Sequence, residues 1–201
     1  MPTSPLRRVV RLVALLNLGY FGIEFAVALT IGSVSLFADS VDFLEDASVN
    51  LLIALALGWS VRNRARLGMA LAGILMVPGL ATLWMAWTKL HVPVAPAPLA
   101  LSLTGLGALV VNAACALMLA RIRHHGGSLT RAAFLSARND VLANLAIIAA
   151  GVVTAVVSRT AWPDLVVGLG IAVMNADAAR EVWQAARAEH AAGYDSGAPP
   201  A

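Results

Sequence analysis

Six long apolar stretches divide the chain, and the short segments between them carry arginine, proline and glycine. The stretches are residues 9–30, 34–59, 67–90, 99–121, 129–157 and 164–187. A helix needs about 20 apolar residues to cross the hydrocarbon core of a bilayer. With 60% hydrophobic and only 12% charged residues, the chain has too few charges to cover a soluble surface. We therefore predict an all-α membrane protein, a bundle of six transmembrane helices.

The positions of the basic residues predict the orientation of this bundle. Lysine and arginine near the ends of spans concentrate on the cytoplasmic side of a membrane. With six spans, Lys89 and Arg159 fall on one side. Eleven arginines fall on the other side: Arg7, Arg8, Arg11, Arg62, Arg64, Arg66, Arg121, Arg123, Arg131, Arg180 and Arg187. Both termini are therefore predicted to be cytoplasmic.

The apolar pattern also sets the domain boundaries. Residues 9–188 are predicted to form one transmembrane domain, preceded by an N-terminal tail of residues 1–8. Residues 189–201 are rich in small and polar residues and in proline, so we expect a disordered C-terminal tail. The arginines are scattered and form no basic block, which argues against a nucleic-acid partner.

The second apolar stretch contains four acids, namely Asp39, Asp42, Glu45 and Asp46, and no lysine or arginine. A charged group inside a bilayer costs at least a few kcal/mol, so it usually has a function or a partner. At about 100° per residue, Asp42 and Asp46 lie about 40° apart, one turn along the helix, and all four acids share an arc of about 120°. Four such charges cannot all stay ionised in dry surroundings. Some must be protonated, hydrated or bound to a cation.

The fifth stretch carries a matching polar face. Ser136, Asp140 and Asn144 recur at intervals of four and therefore share one side of a helix. If the two helices meet, Asp42, Asp46 and Asp140 surround one point, with Ser136 and Asn144 as neutral oxygen donors. Three carboxylates suit a divalent cation, and they can take up protons when the cation leaves.

Other readings of the buried acids stay open. Asp39 and Glu45 could line the access path or relay protons. They could also be hydrogen-bond partners or line a water-filled cavity instead of taking part in a cation site. Glu24 shares a face of the first stretch with Asn17 and Tyr20. It could line the access path, relay protons, or make an interhelical hydrogen bond.

Residues 32–46, which read Gly-Ser-Val-Ser-Leu-Phe-Ala-Asp-Ser-Val-Asp-Phe-Leu-Glu-Asp, resemble the second helix of the cation diffusion facilitator family of metal/proton antiporters. Asp42 and Asp46 occupy the two ligand positions of that helix. In the fifth helix the family has histidine or aspartate, three residues, and then aspartate, where this chain has Ser136 and Asp140. Residues 162–169 also resemble the start of the family's sixth helix, so the similarity extends over about 9–188.

This resemblance implies a secondary transporter that exports divalent metal cations from the cytoplasm in exchange for protons. It implies no enzyme activity and no prosthetic group, and it places the chain as a multi-pass protein of a bacterial-type plasma membrane. Zinc is the commonest cargo of the family, with manganese, cobalt, iron and cadmium as alternatives. Because Ser136 replaces a strong ligand, the remaining oxygen donors suit harder ions such as manganese, magnesium or ferrous iron.

The resemblance also bears on assembly. Family members usually carry a cytoplasmic metal-binding domain after the sixth helix, and they form homodimers that this domain often helps to hold. The sequence stops after the sixth stretch, so we expect this domain to be absent. A homodimer would then have to form through the membrane helices.

Three rival functions are alternatives to transport of a metal. In a transport-defective homologue with a binding or regulatory role, Ser136 would mark a decayed site. A membrane enzyme is disfavoured, because no histidine lies in the apolar stretches to activate Ser136. A carrier of protons or sodium could use the same acids. No glycine-rich nucleotide loop followed by lysine occurs, so an ion gradient would supply the energy.

Overall fold

The computed structural model describes residues 3–56, 79–122 and 127–195. These residues form helices and contain no strand, which confirms the predicted all-α bundle. Helix α3 is described over residues 79–91. The other five helices are α1 (Thr3–Ile31), α2 (Val34–Ala56), α4 (Pro98–Ala120), α5 (Gly127–Val156) and α6 (Trp162–Asp195).

The helices extend past the predicted domain boundaries. Helix α1 begins at Thr3 and α6 continues to Asp195, so parts of both predicted tails are helical. Alanine, arginine and glutamate are good helix formers, and they dominate the end of α6. The arginine-rich segment 62–66 and residues 196–201 lie outside the described residues. The cytoplasmic position of the termini therefore stays a prediction.

Three segments are long and apolar enough to cross a membrane by length and composition: Leu6–Ile31, Pro98–Ala120 and Ser136–Val156. Helix α2 has a suitable length, but its four acids interrupt the apolar sequence. Its residues 34–41 are nevertheless all buried, and so is Asp46. The polar positions of α2 thus face the protein interior, which is where polar groups in membrane helices are tolerated.

Helix α2 occupies the middle of the bundle. It packs against α1, α4, α5 and α6, while α4 also packs against α1 and α5. Large apolar side chains are exposed on the outer faces of α1 and α4, for example Leu15, Leu18, Leu103 and Leu117. Such an apolar outside with a more polar inside suits a bundle surrounded by lipid.

One end of the bundle is held together by Asp164, in the first turn of α6. Its buried carboxylate accepts hydrogen bonds from the backbone N–H groups of Val34 (2.9 Å) and Ser35 (3.1 Å). The hydroxyl groups of Ser33 (2.6 Å) and Ser35 (2.7 Å) also donate to it. Lys89 of α3 completes the set with an ion pair of 3.1 Å. These five residues, the Asp164 anchor, cap the N-terminus of α2 and join it to α3 and α6.

Two glycines make the tight turn and the close helix packing at this anchor possible. Gly32 has a φ of 62°, the left-handed conformation that ends α1 and turns the chain into α2. Gly168 lies one turn after Asp164, where a Cβ atom would stand 2.7 Å from the backbone carbon of Val34. Helices α6 and α2 can therefore approach at Gly168 only because it has no side chain.

We expect Asp164→Asn to lower the free energy of unfolding by about 3 kcal/mol, because it leaves the buried Lys89 ammonium without a counter-charge. Thermal unfolding of the detergent-solubilised protein measures the effect. The double variant Asp164→Asn/Lys89→Met should recover part of the loss, because it removes both charges. An unchanged melting temperature for Asp164→Asn would contradict the role of the anchor.

Candidate functional site

The space between α1, α2, α4 and α5 contains polar side chains in two layers. The Asp46 layer consists of Asn17, Asp46, Cys115, Ser136 and Asp140. The Asp39 layer lies closer to the Asp164 anchor and consists of Glu24, Asp39, Asn112 and Asn144. Each layer takes one or more side chains from every one of the four helices, since an amphipathic face on each helix turns toward the shared interior.

In the Asp46 layer, donors from two helices converge on one carboxylate. Ser136 of α5 donates its hydroxyl hydrogen to Asp46 Oδ1 (3.1 Å), and the Asn17 amide of α1 donates to Oδ2 (3.5 Å). The Asp140 carboxyl group lies within hydrogen-bonding reach of Asp46. The Cys115 thiol of α4 donates weakly to Asn17 Oδ1 at 3.5 Å. The acidic turns of α2 and α5 therefore face each other, as the spacing predicts.

Asp42 lies between the two layers and is half-buried. Its carboxylate is near enough to interact electrostatically with those of Asp140, Asp39, Glu45 and Asp46. Glu45 is also half-buried, on the edge of the Asp46 layer. The interior thus concentrates carboxyl groups on the side of α2 that faces α5.

The carboxylates are neighbours, but their present arrangement is not a finished metal cage. Among the described residues, no three histidine, cysteine, aspartate or glutamate side chains are arranged so that they could hold a metal ion. Asp46 and Asp140 are within reach of each other, whereas Asp42 belongs to the next turn of α2. Binding of an ion by all three would require their side chains to reorient.

Asn144 takes a different place from the one that the spacing predicted. Its amide nitrogen donates to Asp39 Oδ2 (2.5 Å), and its amide oxygen accepts from Asn112 (3.0 Å). Both ends of the amide are therefore engaged in the Asp39 layer. The structure does not bring Asn144 to Asp46, because four residues along α5 displace it by about 6 Å from Asp140.

The two members of these layers that belong to α4, Asn112 and Cys115, are not among the site residues predicted from the sequence. Asn112 was not singled out, although a buried asparagine in an apolar span is itself a signal of an interior contact. A lone cysteine in an apolar stretch is typical of a small buried hydrophobic residue; Cys115 is buried, and its thiol also contacts Asn17. No pattern within α4 alone could show which helix these side chains meet.

Comparison with protein families gives one match. The family model described as the cation efflux transmembrane domain matches residues 10–187, which include both polar layers and the Asp164 anchor. A search of curated proteins found no match. The family match confirms the resemblance that residues 32–46 and the fifth helix indicated.

We expect Asn144→Ala to destabilise the protein by about 2 kcal/mol, because it leaves buried Asp39 and Asn112 without a partner. Ser136→Ala should cost about 1 kcal/mol or less, because the hydroxyl makes one part-buried hydrogen bond. Melting temperatures of the two variants in the same detergent test this order. Equal effects, or a larger effect of Ser136→Ala, would contradict the Asp39 layer as described.

Proposed function

We propose that this chain, which belongs to the cation efflux family, exports divalent metal cations from the cytoplasm in exchange for protons. Family membership makes it a cation transporter of the membrane. The single observation that carries the more specific proposal is the contact of Asp46 with Asp140 and Ser136 between α2 and α5.

Two carboxylates in contact require something positive between them. Asp46 and Asp140 are both buried, and neither ionised carboxylate has a hydrogen to donate to the other. Only a proton or a cation can relieve the repulsion in such surroundings. A divalent cation balances Asp46 and Asp140, and Asp42 can join as a third carboxylate when its side chain turns toward them. Ser136 adds a neutral oxygen on the same side.

The same pair explains an exchange of metal for protons. Metal ligands must be deprotonated, so proton uptake by the carboxylates lowers the affinity for the metal. A cation that reaches Asp46 from the cytoplasm would be released on the other side when protons replace it. A rocking motion of the bundle that exposes the site alternately to the two sides would complete the cycle.

The donor set bears on the choice of metal. The proposed ligands Asp42, Asp46, Asp140 and Ser136 all offer oxygen, which suits manganese or ferrous iron better than a site built from histidine. Zinc is the cargo that the family resemblance favours, and carboxylate oxygens also bind zinc. We propose zinc as the principal cargo, with manganese, iron, cobalt and cadmium as competing ions.

The family resemblance also supports two proposals about the setting. We place the chain in a bacterial-type plasma membrane, which is where an exporter of this kind would act. We also propose a homodimer held through membrane helices, as the family resemblance implies.

A second candidate function has its own support. Ser136 stands where the family resemblance expects a strong ligand, and the described carboxylates are not yet arranged around an ion. Both features favour a transport-defective homologue that has a binding or regulatory role. Metal flux into proteoliposomes separates this candidate from an exporter.

In such a flux assay, zinc or manganese is supplied with an opposing pH gradient. We expect Asp46→Asn and Asp140→Asn to reduce the initial rate by at least about tenfold, because each removes one of the two carboxylates that face each other. Asp177→Asn provides the matched control, since it makes the same change at an exposed acid on α6. Its rate should equal that of the unmodified chain.

If all three variants transport equally, these carboxylates do not carry the cation. If the unmodified chain transports no metal, the second candidate is favoured.

We further expect Ser136→His to increase the zinc affinity by about tenfold or more, because imidazole nitrogen is a better zinc ligand than a hydroxyl group. Manganese affinity should change less, since manganese prefers oxygen. Competition with a metal-sensitive dye measures both affinities. An unchanged zinc affinity would show that position 136 does not contact the bound ion.

A further inference from the structure

The Asp39 layer contains a pair of carboxyl groups that the exchange at Asp46 does not use. Glu24 of α1 and Asp39 of α2 lie within hydrogen-bonding reach of each other, and both side chains have 0% exposure. Tyr20, one turn before Glu24, cannot donate to them, because its hydroxyl group donates to the backbone oxygen of Thr104 (2.6 Å).

Three of the four carboxyl oxygens of this pair have no hydrogen-bond donor. Asp39 Oδ2 accepts from Asn144, but Asp39 Oδ1 and both carboxylate oxygens of Glu24 have no partner. Three acceptor atoms therefore meet in a fully buried space without a donor. Buried polar atoms are normally satisfied, and an exception needs an explanation such as a bound ion.

The pair also repeats the geometry of the Asp46 layer. Glu24 follows Asn17 by seven residues on α1, and Asp39 precedes Asp46 by seven residues on α2. Seven residues of helix correspond to about 10 Å, so the two layers lie two turns apart on the same two helices. Asp42 lies between them and interacts electrostatically with both. A continuous line of carboxylates thus connects the layers.

We propose that Glu24 and Asp39 form a second binding station for the transported divalent cation, between the Asp46 layer and the Asp164 anchor. The identity of the cation rests on the proposed function. The station itself rests on the three unpartnered oxygens. Glu24 would bind through both carboxylate oxygens and Asp39 through Oδ1, while Asn144 keeps Asp39 Oδ2 in place.

A cation accounts for these atoms better than a shared proton does. One proton between Glu24 and Asp39 would satisfy two of the three oxygens and leave one oxygen of a fully buried group without a partner. A divalent cation can be bound by all three and balances both charges. Carboxylate oxygens are the ligands that hard divalent cations prefer in proteins.

The test is the number of ions that the full chain binds in detergent, measured by equilibrium dialysis with Mn²⁺ and repeated with Zn²⁺. We expect two ions per chain for the unmodified protein. Glu24→Gln and Asp46→Asn should each bind one ion, and the double variant should bind none. Asp177→Asn, the exposed control, should bind two.

Folding of the variants is checked by their melting temperatures. Glutamine has nearly the shape of glutamate, and its amide can donate to Asp39 Oδ1, so Glu24→Gln should melt no lower than the unmodified chain. Asp39→Asn is a second variant on the other side of the pair, and it should also bind one ion.

The outcomes separate this inference from the proposed function. One ion per chain that Asp46→Asn removes and Glu24→Gln retains would overturn the second station and leave the proposed function standing. Two ions in both the unmodified chain and Glu24→Gln would also overturn it, because the pair would then hold a proton. Absence of binding in the unmodified chain would overturn both.

Discussion

The structure depends on how the carboxylates of α2 are accommodated in an apolar interior. An ionised acid in such a place needs donors or a positive charge. For Asp46 the surrounding helices supply an amide and a hydroxyl group, from Asn17 and Ser136, and for Asp39 they supply the amide of Asn144. These groups are neutral, so they orient the carboxylates without cancelling their charge. Among the described residues, no lysine or arginine contacts these acids, so a proton or a bound cation would have to balance any negative charge that they carry.

Asp164 shows the opposite use of a buried acid. Its two oxygens accept four hydrogen bonds and pair with Lys89, which also donates to the backbone oxygen of Gly32. A carboxylate that is satisfied in this way has nothing left to offer a mobile ion, and it serves to hold helices together. Glu24, with two unpartnered oxygens, is at the other extreme. The degree of satisfaction thus separates the acids that hold the fold from those that can bind a ligand.

Much of this could be predicted from the sequence because the bilayer leaves few choices. Apolar stretches of sufficient length must be helices, and intervals of four on a helix must share a face, so the bundle and the contact of α2 with α5 followed directly. The partners of Asp164 lie 75 to 131 residues away in the chain, and no local pattern could identify them. The pairing of Asn112 with Asn144, which lie 32 residues apart, could not be identified from a local pattern either. The level at which two helices meet, and hence the layer in which Asn144 lies, depends on their relative shift and on packing throughout the bundle.

The positions of the anchor and the layers constrain how the interior can open. The anchor fixes the start of α2 to α3 and α6, whereas Asp46 lies twelve residues further along α2, about 18 Å away. At the end where α1 begins, a buried apolar cluster of four helices covers the Asp46 layer, with Val13, Ala54 and Leu119 among its members. Opening at that end would separate this cluster and leave the anchor intact. Opening toward the anchor would require α2 and α6 to part at Gly168, where their backbones are in close contact. It would also expose a carboxylate that now has every oxygen engaged. Opening at the anchor would therefore have to break the Lys89 ion pair and the hydrogen bonds of Asp164, in addition to the close packing at Gly168.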